Sequence, residues 1–455
     1  MDKIVSINPA TEKVNKEYNY YSQEKVDGIL KKSNEAFEQW KNLDVSERAE
    51  YLNNAAAKLR ERKEELAPTI TKEMGKPIRQ SESEIEKCAW VLEHFAEKSK
   101  QYIEPEFVDT DAETSGIVFE PLGTILTIMP WNFPFWQALR VGAAALAGGN
   151  VILLKHSSHV PMCALEIEGV FRESGFPEGV YQTLLLDGKS TSSLIGRDEI
   201  AGVSFTGSTS AGRNVAEEAG KNIKKCVLEL GGSDPFIVLD DADLDKAAEA
   251  AAAGRFTNTG QSCVSAKRFI VMESIADEFI SKFVNATRNL TIGDPMDENT
   301  DIGPLVSDKQ IKLIEEQVND AVSKGAEVLL EGGKTEGKGF YYSPVILTNV
   351  SKDSRVITEE TFGPVAPIIT VSSEKEAIKE ANDTQFGLGA NIWTEDREKA
   401  VRLTRDIEAG NVSVNSVTKS DPRLPFGGIK KSGVGRELSR FGFYEFMNIK
   451  SMKVY

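Results

Sequence analysis

Length, composition and charge narrow the class of protein before any motif is considered. The chain has 455 residues, more than one hydrophobic core usually supports, so we expect two or three packed units. Its 54 basic and 70 acidic residues give a net charge of −16, which disfavours a nucleic-acid partner. The amino terminus lacks an apolar signal core and apolar runs stay shorter than about eighteen residues, so we expect a cytoplasmic protein with no membrane partner.

The cysteines are few and widely separated. None of the four belongs to a CxxC pair of the kind that binds zinc, and their number is too low for the disulfide framework of a small secreted protein. We therefore expect no metal site. Cys88, Cys163 and Cys226 are interpreted as core residues.

The first predicted elements are helices. Between residues 23 and 102, apolar residues recur every three or four positions with charged residues between them. Runs of Lys, Arg and Glu such as 60–65 are typical of a solvated helix face with ion pairs one turn apart. This region is assigned no chemistry.

Short apolar runs separated by helices follow from Gly123 onward. The runs are continuous rather than alternating, which is typical of strands buried on both faces of a parallel sheet. Strands are predicted at 124–129, 151–154, 181–186, 202–205 and 226–230, with helices at 135–147 and 164–171. This pattern predicts an α/β unit that ends near the turn at Gly231 and Gly232.

A second α/β series occupies the rest of the chain. Helices are predicted at 243–256, 276–290 and 308–324, and strands at 268–272, around Val328 and at 365–371. The tail from 441 to 455 is predicted to be extended. With residues 116–121 it could form a ribbon between subunits, and an ordinary internal edge strand is the open alternative.

Three loops at the carboxyl ends of predicted strands have residue types that bind ligands in open α/β sheets. Asn132, in a turn stiffened by prolines, has an amide suited to an oxyanion, although such a residue more often caps a turn. Lys155 follows a strand and could meet phosphate or ribose oxygens. The small-residue turn at 205–212 opens a helix whose amides could hold a pyrophosphate.

Cys263 and Glu229 are the candidate nucleophile and base. They occur in Gly260-Gln261-Ser262-Cys263 and Glu229-Leu230-Gly231-Gly232. A thiolate can attack an aldehyde carbon, and a partly buried carboxylate can activate the water that cleaves the resulting thioester. The pair therefore indicates aldehyde oxidation, whereas a lone cysteine is more often a structural core residue.

Six segments, in this order along the chain, resemble those of the aldehyde dehydrogenase superfamily. They are Pro130-Trp131-Asn132-Phe133-Pro134, Phe205-Thr206-Gly207-Ser208, Leu228-Glu229-Leu230-Gly231-Gly232, Gly260-Gln261-Ser262-Cys263, Glu360-Thr361-Phe362-Gly363-Pro364 and Pro425-Phe426-Gly427-Gly428. The resemblance covers essentially the whole chain and implies an α/β fold with three parts. These are a Rossmann-like NAD(P)-binding domain (1–105 and 122–231), an α/β catalytic domain (232–424), and a small β oligomerisation ribbon with a C-terminal segment (106–121 and 425–455). A homodimer or homotetramer is the implied assembly.

The same resemblance implies roles for individual residues. Cys263 would be the nucleophile, Glu229 the general base, and Asn132 with the Cys263 backbone amide the donors to the oxyanion. The cofactor would be lined by Trp131, Asn132, Lys155, His156, Ser157, Ser158, Gly207, Ser208, Leu230, Glu360 and Phe362.

Ser158 bears on the choice of cofactor. Many NAD-preferring relatives have a glutamate here, which binds the ribose hydroxyls and repels a 2′-phosphate. With a small neutral residue at this position and Lys155 nearby, we expect NADP to be accepted and preferred, and NAD to be usable.

Arg140 bears on the choice of substrate, because arginine can bind a carboxylate through two hydrogen bonds. Without the resemblance it would be interpreted as a surface helix residue. Relatives that oxidise succinate semialdehyde have arginine here, so we expect that small aldehyde to be the substrate and succinate the product. The pocket would be shaped by Trp136, Arg140, Ser262 and Ser420.

Other functions stay open at this point. A lactaldehyde, glycolaldehyde or glyceraldehyde dehydrogenase could use Arg140 and Ser420 through hydrogen bonds to a hydroxyl group. A non-catalytic protein on the same fold would be expected to lack the nucleophile or the base. An enzyme that passes the acyl group to coenzyme A would have little use for Glu229. Both Cys263 and Glu229 are present, which favours a dehydrogenase that hydrolyses its thioester.

Overall fold

The computed structural model describes residues 3–455 and begins with a β-hairpin and four helices. The elements are β1 (Lys3–Ile7), β2 (Val14–Asn19), α1 (Gln23–Trp40), α2 (Val45–Glu61), α3 (Lys63–Met74) and α4 (Ile78–Ile103), followed by β3 (Glu106–Phe107) and β4 (Thr114–Pro121). The helical pattern predicted over residues 23–102 is confirmed. The hairpin has no counterpart among the predicted elements, because β2 buries none of its side chains and therefore lacks an apolar alternation.

A parallel sheet forms the centre of the first α/β unit. In chain order the elements are β5 (Thr124–Met129), α5 (Pro134–Ala147), β6 (Val151–His156), α6 (Pro161–Glu173), β7 (Tyr181–Thr183), α7 (Gly188–Ile195), β8 (Ile200–Thr206), α8 (Thr209–Lys221) and β9 (Lys225–Glu229). The strands lie in the order β9-β8-β5-β6-β7 and are parallel throughout. Neighbouring residues of β5 enter different cores, Ile125 on one face and Leu126 on the other. Both faces are buried, so the predicted parallel sheet is confirmed.

The second α/β unit contains a seven-stranded sheet. Its elements are β10 (Asp234–Val238), α9 (Leu244–Phe256), β11 (Ala266–Met272), α10 (Ala276–Arg288), α11 (Asp308–Ser323), β12 (Glu327–Leu330), β13 (Gly333–Lys334), β14 (Tyr342–Ser343), β15 (Val345–Thr348), α12 (Arg355–Thr358), β16 (Val365–Val371), α13 (Glu374–Asn382), β17 (Gly389–Trp393), α14 (Arg397–Asp406) and β18 (Asn411–Val414). The strand order is β12-β15-β16-β11-β10-β17-β18, with only β12 antiparallel to its neighbour. The predicted helices and strands are confirmed. The additional elements are the strands β10, β13, β14, β15, β17 and β18 and the helices α12, α13 and α14.

The C-terminal segment returns to the first unit. It comprises β19 (Gly433–Val434), which pairs antiparallel with β9, then α15 (Ser439–Tyr444) and β20 (Met447–Val454). Strand β20 pairs with β4 over its whole length and completes the sheet β20-β4-β3, as predicted for residues 116–121. The prediction of an extended tail is wrong for residues 441–444. These residues form a helix because the rings of Phe443 and Tyr444 pack against Tyr102 and Phe119.

Candidate active site

A cavity of about 330 Å³ lies between helices α4 and α5 and the loops that contain Cys263 and Ser420. Cys263 is part of its wall. All the residues that were predicted to bind substrate also line it, namely Trp136, Arg140, Ser262 and Ser420. The fold therefore brings the candidate nucleophile together with side chains that are far apart in the sequence.

Cys263 lies in a loop between α9 and β11 whose backbone is tightly constrained. Asn258 and Thr259 have φ values of 53° and 56°, in the left-handed region that side chains rarely adopt. At Gly260, with φ of 72°, a Cβ would lie 2.5 Å from the carbonyl oxygen of Gly363. Only glycine fits this close approach, which explains its place in the motif.

The Cys263 thiol is neutral at rest. Burial raises its pKa to about 11, and the nearby cations Arg140 and Lys267 oppose this rise. Lys267 also fixes the loop, because its ammonium donates hydrogen bonds to the carbonyl oxygens of Ser262 (3.0 Å) and Cys263 (2.7 Å). The nucleophile is thus held in place as a thiol and must lose its proton before it can attack.

Asn132 is tied to the loop of the nucleophile. Its Nδ2 donates a hydrogen bond to the carbonyl oxygen of Gln261 at 3.0 Å, and Nδ2 of Asn258 donates to the Asn132 carbonyl at 2.9 Å. A side-chain amide has two N–H groups, so this bond uses one of them. The buried amide is therefore fixed beside the loop of Cys263, and its second N–H is not used in this bond.

Glu229 is the last residue of β9 and its carboxyl group is buried. Among residues 3–455, neither of its oxygens has a hydrogen-bond partner. Burial raises its pKa well above the ordinary value, and repulsion from Glu437 adds to the rise, while Arg140 and Arg436 oppose it. A carboxyl group with free oxygens and a raised pKa is suited to accept a proton from water.

Gly427 shows what the motif Pro425-Phe426-Gly427-Gly428 contributes to the site. A Cβ at this position would lie 2.6 Å from Oε1 of Glu229, and the φ of 154° is also unfavourable for other residues. The backbone of the Pro425-to-Gly428 segment thus packs directly against the candidate base, and any side chain at Gly427 would displace it.

Arg140 is buried and held by two partners. Its Nε donates to the carboxylate of Glu437, and its guanidinium lies over the ring of Phe426, 4.5 Å from the ring centre. Its Nη2 is buried without a hydrogen-bond partner among the described residues. The guanidinium on the cavity wall therefore has a donor left for a ligand, although Glu437 already balances its charge.

A second group of predicted residues surrounds the carboxyl ends of the first sheet. The rings of Trp131 and Phe362 meet edge to face with centres 5.6 Å apart. Glu360 accepts a hydrogen bond from the amide of Gly232 at 3.1 Å and lies 3.5 Å from the ammonium of Lys267. The Glu360-to-Pro364 motif is thereby linked to the loop of the nucleophile.

The turn before α8 has the features of an anion-binding helix start. The Ser208 hydroxyl accepts a hydrogen bond from the amide of Ala211 and caps the helix. A Cβ at Gly212 would lie 2.4 Å from Leu230, so Leu230 packs closely on this first turn. Within residues 3–455, Oγ1 of the buried Thr206 has no hydrogen-bond partner. Gly207 belongs to the same turn. Lys155 lies near the carboxyl end of β6, and Ser157 and the exposed Ser158 follow that strand.

The His156 ring points away from this surface. Its Nε2 lies 2.8 Å from the carbonyl oxygen of Pro134, and its Nδ1 accepts a hydrogen bond from the amide of Ser157. Burial lowers its pKa to about 4. Because both ring nitrogens are bound within the protein, we do not retain the His156 side chain as a cofactor contact.

Helix α4, which was assigned no chemistry, contributes two charged residues to the cavity wall, Glu84 and Lys87. Oε1 of Glu84 accepts hydrogen bonds from the amides of Phe135 (2.9 Å) and Trp136 (3.0 Å), and its carboxylate pairs with the fully buried Lys76. One signal was available: Glu84 falls on the buried stripe of the helix with Ser81 and Cys88, where a charge is unusual.

Two further observations concern the described part of the chain. Within residues 3–455, no group of three or more His, Cys, Asp or Glu side chains is arranged to hold a metal ion. No helix in that range is long and apolar enough to cross a membrane.

The chain is similar to known proteins over nearly its whole length. A Synechocystis sp. protein named probable succinate-semialdehyde dehydrogenase (NADP(+)) is 48% identical over 99% of each chain. The structure of succinic semialdehyde dehydrogenase from Streptococcus pyogenes in complex with NADP+ is 36% identical, with a TM-score of 0.97 and 99% of each chain covered. The structure of Escherichia coli lactaldehyde dehydrogenase is 34% identical, with a TM-score of 0.96, covering 99% of this chain and 95% of that one. The sequence profile described as "Aldehyde dehydrogenase family" matches residues 1–452, and the chain therefore belongs to the aldehyde dehydrogenase family.

Proposed function

We propose that this aldehyde dehydrogenase oxidises succinate semialdehyde to succinate, with NADP as the preferred hydride acceptor and NAD as a weaker one. The observation that carries the proposal is the cavity in which Cys263 shares a wall with Arg140 and Ser420. A carboxylate at one end of a short aldehyde would meet these donors while its carbonyl carbon meets the thiol. The names of the Synechocystis and Streptococcus relatives point to the same substrate and cofactor.

The first step proposed for the reaction takes place at Cys263. Its sulfur, once deprotonated, adds to the aldehyde carbon, and the carbonyl oxygen becomes an alkoxide. We assign stabilisation of that alkoxide to Nδ2 of Asn132 and to the Cys263 amide. Loss of one such donor costs about 3 kcal/mol of barrier, roughly a hundredfold in rate.

NADP, when bound, supplies the acceptor for the hydride that leaves this carbon. The surface at the carboxyl ends of the first sheet fits a dinucleotide, because three features lie at that edge: the start of α8, Lys155, and the Thr206 hydroxyl, which has no hydrogen-bond partner within residues 3–455. The residues proposed to hold it are Trp131, Asn132, Lys155, Ser157, Ser158, Gly207, Ser208, Leu230, Glu360 and Phe362. Ser158 is small, neutral and exposed, so it leaves room for a 2′-phosphate near Lys155.

Glu229 is proposed to complete the cycle. Loss of hydride leaves a thioester on Cys263, and the Glu229 carboxylate takes a proton from water as its oxygen attacks the thioester carbon. The carbon–sulfur bond breaks, succinate is released and the sulfur is regenerated. The absence of internal hydrogen bonds to Glu229 within the described residues leaves both of its oxygens free for this water.

A hydroxyaldehyde such as lactaldehyde is the second candidate substrate. The similarity to Escherichia coli lactaldehyde dehydrogenase favours it, and its hydroxyl group could bind Ser420 or Arg140. The Glu437 carboxylate that already balances the Arg140 charge is compatible with such a neutral ligand.

Initial rates of NADPH and NADH formation test the proposal. Succinate semialdehyde is compared with glycolaldehyde, lactaldehyde and glyceraldehyde, with Cys263→Ala as the blank. We expect succinate semialdehyde with NADP to have the highest kcat/KM. A preference for a hydroxyaldehyde would contradict the proposal that the cavity binds a substrate carboxylate. A Ser158→Glu variant with an undiminished kcat/KM for NADP would contradict the role of Ser158 in the choice of cofactor.

A further inference from the structure

The strongest feature that the reaction above does not use is the side chain of Lys87 on α4. It lies on the wall of the same cavity as Cys263. Its Nζ donates a hydrogen bond to Oγ of Ser420 at 2.7 Å and lies 4.2 Å from the centre of the Trp136 ring. Lys87 is thus in contact with two of the residues predicted to bind substrate, although it is 333 residues away from Ser420 in sequence.

Within the described part of the chain, the Lys87 ammonium forms no salt bridge with a carboxylate. Among residues 3–455 its hydrogen-bond partner is the neutral Ser420 hydroxyl. The carboxylate that favours its charge, Glu84, is already paired with the buried Lys76. A partly buried ammonium without an anion is costly, and such groups are concentrated at functional sites.

Burial and the charges around Lys87 set its pKa. Burial lowers the pKa of Lys87 to about 8, and repulsion from Arg140 on α5 and from Lys419 on the C-terminal loop lowers it further. Cys88 and Glu84, both on α4, act in the opposite direction. The side chain is therefore mostly charged at pH 7 and loses its charge as the pH rises through about 8.

The Lys87 contact also orients Ser420. Because the Ser420 oxygen accepts the hydrogen bond from Lys87, its own O–H is left to donate elsewhere. Two donors, the ammonium and the hydroxyl, are then adjacent on the wall of the cavity that also holds the thiol of Cys263.

We propose that Lys87 is a specificity-determining residue, whose ammonium is the counter-ion of the substrate carboxylate and whose bond to Ser420 presents the serine hydroxyl to the same carboxylate. This proposal rests on the proposed function and identifies Lys87 as the main charged contact of the substrate carboxylate. Arg140, whose charge Glu437 balances, contributes hydrogen bonds beside it.

A Lys87→Met variant tests the proposal, because methionine keeps much of the length of the side chain but not its charge. Lys87→Arg is the matched control that keeps the charge. Steady-state kcat/KM is measured with NADP for succinate semialdehyde and for butanal, a neutral aldehyde with the same number of carbon atoms. We expect Lys87→Met to lower the value for succinate semialdehyde tenfold to a hundredfold, about the range for a hydrogen bond to a charged group, mainly through KM. The value for butanal should stay within about twofold.

The pH dependence is a second readout that a structural role would not alter. Ionisation of Cys263 and Glu229 affects kcat/KM equally for both aldehydes. The ratio of the two kcat/KM values therefore does not depend on it. In the wild type this ratio should fall as the pH rises through about 8, because the charged form of Lys87 is lost. It should be flat in Lys87→Met, and Lys87→Arg should keep it high to a higher pH.

The outcomes separate this proposal from the proposed function. If Lys87→Met lowered kcat/KM equally for both aldehydes, Lys87 would be a structural residue and the proposal would be overturned. The proposal would also be overturned if the ratio of the two kcat/KM values had the same pH dependence in Lys87→Met as in the wild type. In both cases a wild type that prefers succinate semialdehyde to butanal would leave the proposed function standing. A wild type without that preference would overturn both. Activity on butanal reports that each variant is folded, and Lys87→Gln provides a second neutral variant.

Discussion

Glu229 and Cys263 have in common that the fold suppresses the ionised form of each. Burial raises the pKa of both groups, and within residues 3–455 Glu229 has no hydrogen bond that would stabilise its charge. A proton-accepting carboxylate with a raised pKa has a stronger driving force for taking a proton from water. Burial thus shifts the pKa of both reactive groups upward, toward their protonated forms.

Replacing Glu229 with Gln should separate the two halves of the reaction. Attack by Cys263 and hydride loss should still occur, so a burst of about one NADPH per active site is expected, followed by a steady rate lowered by about 10²- to 10⁴-fold. Rapid-mixing absorbance at the NADPH band measures both phases. In the wild type, hydrolysis should slow as the pH falls through the raised pKa of Glu229, because only the ionised form is a base. A variant with no burst and an unchanged steady rate would contradict the role of Glu229.

Alkylation of Cys263 by iodoacetamide should be strongly dependent on pH. With a pKa of about 11, the thiolate fraction grows about tenfold for each pH unit between pH 7 and 9, and the labelling rate should follow it. Mass spectrometry of the peptide that contains Cys263 gives the rate, and Cys263→Ala identifies labelling at other cysteines. A rate independent of pH would show that the free enzyme holds a thiolate.

At the scale of elements, α5 is the helix that links the parts of the site. Its first turn follows Asn132, and it contains Trp136 and Arg140. The amides of Phe135 and Trp136 at its amino end donate to Glu84, whose charge is balanced by Lys76. A carboxylate is favourable at a helix amino end, so the buried ion pair both caps α5 and fixes its position against α4.

A Glu84→Gln variant should lower the free energy of unfolding by about 3 kcal/mol, because Lys76 would be left buried without a counter-charge. Glu86→Gln on the same helix is the control. Glu86 is 42% exposed and pairs with Arg60 and Lys63, so its loss should cost less than about 1 kcal/mol. Urea denaturation of both variants measures the difference. If both variants lowered the free energy of unfolding equally, the buried pair would not stabilise the protein more than the exposed one.

Elements were predicted well where the pattern of burial is local. The strands of the first sheet and β16 are continuously apolar because cores cover both faces, and this leaves a clear signal in the sequence. The hairpin β1-β2 leaves no such signal, since β2 is mostly exposed. Helix α15 is stabilised by ring contacts with Tyr102 and Phe119, which are distant in the chain.

At the scale of the whole molecule, the sheet β20-β4-β3 is the proposed surface of assembly. It exposes Phe107, Ile449 and Val454, whose exposed fractions are 71%, 57% and 50%. We propose that this ribbon joins subunits into a homodimer or homotetramer, as the division of the chain at residues 106–121 and 425–455 implies. Strand β19 of the same C-terminal segment pairs with β9 of the first sheet.

An Ile449→Asp variant should reduce the molar mass in solution to that of a smaller assembly or a single chain, because a charge in a subunit interface would be desolvated. Light scattering coupled to size-exclusion chromatography measures the mass. Val401→Asp on α14 is the matched control, since Val401 is similarly exposed at 54% but lies outside the ribbon. A wild-type mass of one chain, or an equal effect of both variants, would contradict the proposed interface.

The amino-acid sequence by itself determined the α/β class, most of the helices and buried strands, and the pairing of a candidate nucleophile with a candidate base. These features depend on local periodicity and on short motifs, which are complete within a few residues. Only the tertiary structure decided which partner each charged side chain contacts. Arg140 pairs with Glu437, Lys87 donates to Ser420, and Glu84 accepts from the amides of α5. Arg140 and Glu437 are 297 residues apart, and the sequence contains no local signal of their contact, because it arises only when the sheets and helices pack.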